Sequence, residues 1–181
     1  MISIDVVLLK SLLLYDGETG LLTWRRRQSS MFSSDRICNS WNAKWAGAKA
    51  FTSSNSRGYK TGSIFGRQFQ AHRVAWALHY GCWPNDEIDH IDGIKTNNSI
   101  GNLRQATRAE NCRNTRSAAG STSKYLGVYK RDDYWVAEIG GGGKSESISG
   151  FSTEELAAEE YNRMASLRYG EFARLNIITK G

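Results

Sequence analysis

The stretch Ala118-Ala119-Gly120-Ser121-Thr122-Ser123 is small, polar and flexible, and it limits what the chain can fold into more than any other feature. It reads as a linker over 118–123, dividing 181 residues into two pieces that must each build a core. The charge divides at the same place. Residues 1–123 hold 16 Lys and Arg against 9 Asp and Glu, a balance of +7, and residues 124–181 hold 8 against 9, a balance of −1. The excess positive charge thus lies in the first two-thirds, which favours a polyanionic partner, most often nucleic acid. Cys38, Cys82 and Cys112 are odd in number and too widely spaced for a Cys-x-x-Cys metal knuckle or a disulfide framework, which fits a reduced, intracellular protein. No apolar run approaches the roughly 20 residues of a membrane span, and Met1 to Leu14 lack the basic start and cleavage site of a signal peptide. No membrane association is expected.

The first piece opens with a helix expected from about Ser3 to Tyr15, its apolar positions Ile4, Val7, Leu8 and Leu12 near helical spacing. Asp16–Gly20 reads as a turn and Leu21–Trp24 as a short strand, followed directly by Arg25-Arg26-Arg27, a run that reads equally as a solvated surface or as a phosphate contact. Residues 28–58 are rich in Ser, Asn and Gly, with Trp41, Trp45 and Phe51 interspersed; these aromatics read mainly as core and, alternatively, as rings that stack on bases. A hairpin is expected from Tyr59–Phe65 and Gln68–Ala71 around Gly66-Arg67. A helix then runs from His72 or Arg73 to Gly81 as its C-terminal stop.

The run from Glu87 to Asn111 carries the chemistry. Ile88 and Ile91 mark a short strand ending at the Asp92-Gly93 turn; Asn97, Asn98, Ser99, Gly101 and Asn102 make a polar loop; Thr107 with Glu110 forms a capping box that starts a helix near Arg108. Asp89 offers a hard anionic oxygen and Asn111 a neutral carbonyl oxygen, a pair suited to one divalent cation such as magnesium. On a strand the neighbouring His90 points to the face opposite Asp89. One side chain can hold metal while the other addresses a water, the layout of metal-assisted phosphodiester hydrolysis.

This run resembles the His-Asn-His (HNH) endonuclease motif in the Asp-His…Asn…Asn form of phage and intron homing endonucleases. Upstream, Ala71-His72-Arg73-Val74-Ala75-Trp76 and Trp83-Pro84 are similar to the lead-in segments of those proteins. The resemblance implies Asp89 as metal ligand, His90 as general base, Asn102 as the residue that braces the loop, and Asn111 as second ligand, standing where many members have the last His. It implies one divalent metal, magnesium or alternatively manganese, and products with 5′-phosphate and 3′-hydroxyl ends. Arg104, Arg108, Arg113 and Arg116 are the arginines placed to grip the DNA backbone. His72 is expected to be structural or to contact phosphate, His79 to lie on the helix surface, Asp92 to serve the turn, and Asn97 and Asn98 to brace the loop.

In the second piece, Lys124–Tyr129, Tyr134–Ile139 and Glu146–Phe151 alternate as strands around Lys130–Asp133 and Gly140–Gly143. A second capping box, Ser152 to Glu155, opens a helix with Leu156, Glu160 or Tyr161, Met164 and Leu167 or Arg168 along one face. The segment resembles the Apetala-two/ethylene-response-factor DNA-binding domain at Tyr125-Leu126-Gly127-Val128, Trp135–Ile139, Gly150–Ala158, Tyr161 and Leu175-Asn176. That resemblance implies a three-stranded sheet set in the major groove. Leu126, Tyr129 and Gly140 replace groove-facing arginines, leaving Lys130 and Arg131 as its DNA contacts, with Glu138 and Lys144 as further candidates and a protein-contacting or vestigial role as the alternative.

The expected fold class is α+β: residues 1–60 packing on or feeding the nuclease, a ββα-metal HNH module over 61–117, the linker, and at 124–178 a small three-stranded antiparallel sheet packed on one helix. The expected partner is double-stranded DNA and the expected oligomeric state a monomer or weak homodimer, in the cytoplasm of a bacterial host and of phage origin. The alternative class is a DNA-binding regulator without catalysis, built on the same modules.

Overall fold

The computed structural model describes residues 4–113, 122–141 and 144–178, the side chains of residues 109, 112, 113 and 141 excepted. It is a mixed helix and strand fold with small antiparallel sheets, and the chain divides into two compact units, residues 1–106 and 107–181.

In the first unit, α1 (Val6–Leu12) is shorter than its sequence predicts, because Leu13–Tyr15 form strand β1 against β2 (Leu22–Trp24). Leu13 is buried and Leu14 exposed, the two-residue period of a strand, and the Arg25 N–H donates to the Leu12 carbonyl at 2.9 Å. Val7 and Leu8 face outward; the buried side chains of this segment are Ile4, Leu9, Leu12 and Leu13. The polar stretch that follows contains a helix its composition conceals, α2 (Asp35–Trp45), capped by Ser34, whose hydroxyl accepts from the Ile37 N–H at 3.4 Å. Strand β3 (Ser53–Ser54), β4 (Lys60–Ile64) and β5 (Arg67–Gln70) form an antiparallel sheet, its tight turn at Phe65-Gly66 rather than Gly66-Arg67. Helix α3 (Ala71–Tyr80) ends at Gly81 in the left-handed conformation. Leu9, Leu12, Leu13, Leu22, Phe51, Ile64 and Val74 are the centre of the main core. A smaller cluster of Ala75, Trp76, Ile88 and Leu103 seats the ribbon of β6 (Glu87–His90) and β7 (Leu103–Ala106) on α3.

The second unit begins with α4 (Arg108–Arg113), so the division falls before this helix and not at 118–123, where residues 118–121 lie outside the described residues. The physical reason is that α4 packs on the 3-10 turn Gly170–Phe172. Strands β8 (Val128–Arg131), β9 (Tyr134–Gly141) and β10 (Lys144–Phe151) form an antiparallel sheet in the order β10-β9-β8, packed on α5 (Glu154–Tyr169). The turn expected at Gly140–Gly143 falls partly outside the described residues.

Strand β8 starts at Val128, later than the alternation from Lys124 predicts, because side chains take the backbone groups before it. Asn176 accepts from the Leu126 N–H at 2.7 Å and donates to its carbonyl at 3.0 Å, and the Tyr125 N–H donates to Ser123 Oγ. Gly127, at φ +67°, lies so close to Tyr161 that a Cβ would sit 2.2 Å from the ring. The buried face of α5 is Ala157, Ala158, Tyr161, Met164 and Ala165; Leu156 and Leu167 are exposed, contrary to the predicted stripe. Its cap is Thr153, whose hydroxyl accepts from the Leu156 N–H. The cap thus falls one residue after Ser152; Glu155 meets the Lys124 ammonium at 3.5 Å, and Glu154 accepts from Ser123 Oγ at 2.6 Å and the Lys124 N–H at 3.0 Å.

Candidate active site

Ladder register brings the motif's chemistry together on the β6–β7 ribbon. Asp89 stands opposite Arg104 and His90 opposite Leu103. The Arg104 Nε and Nη2 both donate to Asp89 Oδ2, at 2.9 and 2.7 Å, a charge-assisted pair. Arg104, expected to grip backbone phosphate, is thus engaged with the carboxylate beside it. Asp89 and His90 are each 4% exposed.

The Nε2 of His90 lies 3.1 Å from Asn98 Oδ1. An amide oxygen only accepts, so Nε2 carries the proton and Nδ1 is the unprotonated nitrogen. Burial pushes the His90 pKa down, and the Asn98 hydrogen bond, Asp92 and Asp89 only partly offset it. The ring is neutral near pH 7.

The loop that presents Asn98 is held by Asn102. Its Oδ1 accepts from the Asp92 N–H at 3.0 Å, and its Nδ2 donates to Asp92 Oδ1 and to the Asn97 carbonyl, both at 2.9 Å. Asp92 also takes Asn97 Nδ2 and the Ile94 N–H. Burial alone would raise the Asp92 pKa, but those hydrogen bonds more than reverse it, so it is lowered. On its other side the loop rests on the β1–β2 turn: the Tyr15 hydroxyl donates to the Asn98 carbonyl and the Ile100 N–H to the Gly17 carbonyl, each at 2.8 Å.

His72, from the first turn of α3, completes the cluster. Its ring lies edge to face with His90 at 5.2 Å and with Tyr59 at 5.0 Å, and its buried Nδ1 has no hydrogen-bond partner. Burial, then the neighbouring His90 and Arg73, push its pKa from 6.5 down to about 3. In the unfolded chain it binds a proton below 6.5; in the folded chain it resists doing so until about 3. Stability of the first unit is therefore full above pH 6.5 and falls as pH drops toward 3, by up to about 1.4 kcal/mol per pH unit. His72→Phe, which also removes the orphaned nitrogen, is expected to flatten that acid limb. Urea unfolding at pH 7.5 and pH 5 checks it: an unchanged limb in the variant would assign the proton uptake elsewhere.

Asn111, half-buried, lies on α4 in the second unit, its N–H bonded to the Thr107 carbonyl. The capping box forms as read: Glu110 accepts from the Thr107 N–H and hydroxyl, and its own N–H donates to Thr107 Oγ1. Arg108 is exposed; the Arg113 side chain and Arg116 lie outside the described residues. Arg25 and Arg26 are exposed, whereas Arg27 folds over Trp41. Lys130 and Arg131 are exposed at the end of β8, over Trp135 and Tyr129. His79 is exposed. Among the described residues no group of three or more His, Cys, Asp or Glu side chains is gathered for a metal ion, and no helix is long and apolar enough to cross a membrane. A carboxylate with an amide oxygen is nonetheless the right kind of donor set for a hard divalent cation. Sequence reasoning missed the pairing of Asn98 with His90, the engagement of Arg104 and the support from Tyr15. Each depends on a tertiary contact with no local signal.

Residues 69–113 match the HNH endonuclease family. The chain is 37% identical over 124 residues to an uncharacterized HNH endonuclease of Acanthamoeba polyphaga mimivirus, covering 67% of this chain and 64% of that protein. It is 34% identical over 106 residues to protein 3.8 of Escherichia phage T7, covering 57% of this chain and 87% of that protein. No solved structure matches. The chain belongs with these viral and phage proteins and carries an HNH endonuclease domain. HNH nucleases generally use a divalent metal ion.

Proposed function

We propose that this protein is a metal-dependent DNA endonuclease of homing type, acting on double-stranded DNA in the cytoplasm of a phage-infected bacterium. The observation that carries the reading is the buried His90, neutral, its Nε2 proton given to Asn98, inside the segment that matches the HNH family. His90 Nδ1 takes the proton of the attacking water. Asn98 holds the ring in the tautomer that leaves Nδ1 basic, and Asn102 holds the loop that carries Asn98. Asp89 is the first metal ligand, kept in place by Arg104; Asn111, at the last motif position of the chain, is the second. These hard oxygens favour magnesium, with manganese as the alternative. A bound divalent ion would supply Lewis-acid stabilisation of the phosphorane and the leaving 3′-oxygen, giving 5′-phosphate and 3′-hydroxyl ends.

The antiparallel sheet of the second unit, whose sequence resembles the Apetala-two domain, is proposed to anchor the enzyme on DNA through Lys130 and Arg131, with the first-unit Arg25 and Arg26 and, on α4, Arg108 adding phosphate contacts. The assembly is a monomer or weak homodimer, and the HNH module over 61–117 is a ββα-metal unit. Supercoiled plasmid incubated with magnesium, manganese or EDTA tests the function. Nicked or linear product with either metal and none with EDTA is the expected result. Binding without cutting in both metals would instead favour a DNA-binding regulator.

A further inference from the structure

The most basic stretch of the chain is not at the HNH motif. Residues 21–70 hold nine Lys and Arg (Arg25, Arg26, Arg27, Arg36, Lys44, Lys49, Arg57, Lys60 and Arg67) against the single acid Asp35. On this stretch the fold gathers aromatic rings that the core does not use. Trp45 is 39% exposed at the end of α2 and Phe65 is 54% exposed at the tip of the β4–β5 hairpin. Between them the Arg27 guanidinium lies 3.9 Å from the centre of the Trp41 ring and 5.6 Å from that of Phe65. Its Nε is buried and has no hydrogen-bond partner. These groups line a hollow of about 360 Å³ with Trp24 and Ser63. Trp41 and Trp45 continue into a second hollow of about 610 Å³ beside Arg36 and Lys44. No carboxylate lines either hollow among the described residues.

Phe65 adds an independent mark. It has φ +49° and is followed by Gly66 at φ +75°, a turn with two left-handed residues. Bulky residues rarely adopt that conformation, and the Asn-Gly pair is the favoured occupant of such a turn. A phenylalanine held there, ring to solvent, is retained against local preference, as strained residues at binding sites are.

We infer that the Trp41–Arg27–Phe65 layer and Trp45 form a stacking platform for unpaired bases of single-stranded DNA, tracked on its phosphates by Arg26, Arg36 and Lys44. Exposed aromatic rings backed by cations, Arg27 over Trp41 and Lys44 over Trp45, fit a base whose own face is exposed, whereas paired bases hide theirs in the duplex stack. A neutral or basic peptide would use only the apolar rings and gain nothing from eight net positive charges. The inference rests on the nuclease reading for its choice of DNA. It implies that the substrate includes a frayed, nicked or looped segment within reach of the site.

The test uses the full chain in EDTA, so that binding is read without turnover, by fluorescence anisotropy of a labelled oligothymidine and of a duplex of equal length. Trp45→Ala and Phe65→Asn are each expected to weaken oligothymidine binding by at least about tenfold and duplex binding by less than about twofold. Phe65→Asn restores the preferred turn pair, so its unfolding transition is expected to stay level or rise while its binding falls, which separates recognition from folding. Equal losses on both DNAs would reduce the patch to phosphate contacts and overturn the inference. No loss on either would also overturn it and point to a protein partner or a structural patch. Plasmid cutting is scored separately, so loss of the nuclease reading and loss of the platform remain distinct.

Discussion

His90→Ala is expected to lower plasmid cleavage by about 10²- to 10⁴-fold while DNA affinity in EDTA stays within about twofold of the parent. The argument is local to the ring. Nε2 is committed to Asn98, so the substitution removes the unprotonated nitrogen that would take the water's proton. Burial keeps the ring neutral and ready at pH 7. No phosphate contact is assigned to His90, which is 4% exposed, so binding has no reason to change. The Arg104–Asp89 pair lies on the same ribbon but does not include the ring, and it should survive. His90→Asn, which retains polar volume in the site, should be as inactive as the alanine variant, and matching circular dichroism would exclude a collapse of the ribbon. Cleavage by either variant at the parental single-turnover rate would place the general base elsewhere.

Local signals were the ones a reader of the sequence could use. The Thr107–Glu110 box and Gly81 act within one helix turn of their own positions, so their residue types alone announce the helix ends they make. The hairpin at Phe65-Gly66 was visible for the same reason, within one residue. Helix α2 was not, because it buries only Cys38 and Asn42 and so carries no apolar stripe. Asn42 instead takes the Arg27 N–H and donates to its carbonyl, a tertiary reason for a helix that periodicity does not record. Leu13–Tyr15 read as helix because apolar residues continue through it, and its strand character depends on a partner at Leu22–Trp24. The stripe assigned to α5 failed differently: the sheet leaves room for Ala157, Ala158 and Ala165, and the larger Leu156 and Leu167 turn to solvent. In the site, Asp89 and His90 stand out by residue type and spacing, and Asn102 by the family resemblance alone. The hold of Arg104 on Asp89 depends on cross-strand register, and that of Asn98 on His90 on the path of a loop.

Gly20→Ala, seventy residues before the motif, is expected to cost about 10²-fold in cleavage. Gly20 has φ +73°, and a Cβ there would sit 2.4 Å from the Asn98 carbonyl carbon and 2.5 Å from the Ser99 nitrogen. These are backbone atoms, and neither the turn nor the loop can yield cheaply. The turn is closed by the Gly20 N–H on the Asp16 carbonyl at 2.8 Å and by Asp16 Oδ1 on the Glu18 N–H at 3.0 Å. The loop is pinned by Asn102 and docked on Tyr15 and Gly17. The added methyl must therefore push residues 98–99 away from the turn, and with them the amide oxygen that orients His90. A misplacement near 1 Å in a catalytic group is enough for a loss of that size. Gly17→Ala is the control from the same turn. Its Cβ would meet Ile100 Cγ2 at 3.5 Å, an ordinary contact, and its backbone is not left-handed, so cleavage should stay near the parental rate. Single-turnover rates of the two variants at matched circular dichroism decide the matter. If Gly20→Ala cut as fast as Gly17→Ala, the N-terminal turn would be a neighbour of the site and not the support that positions its base.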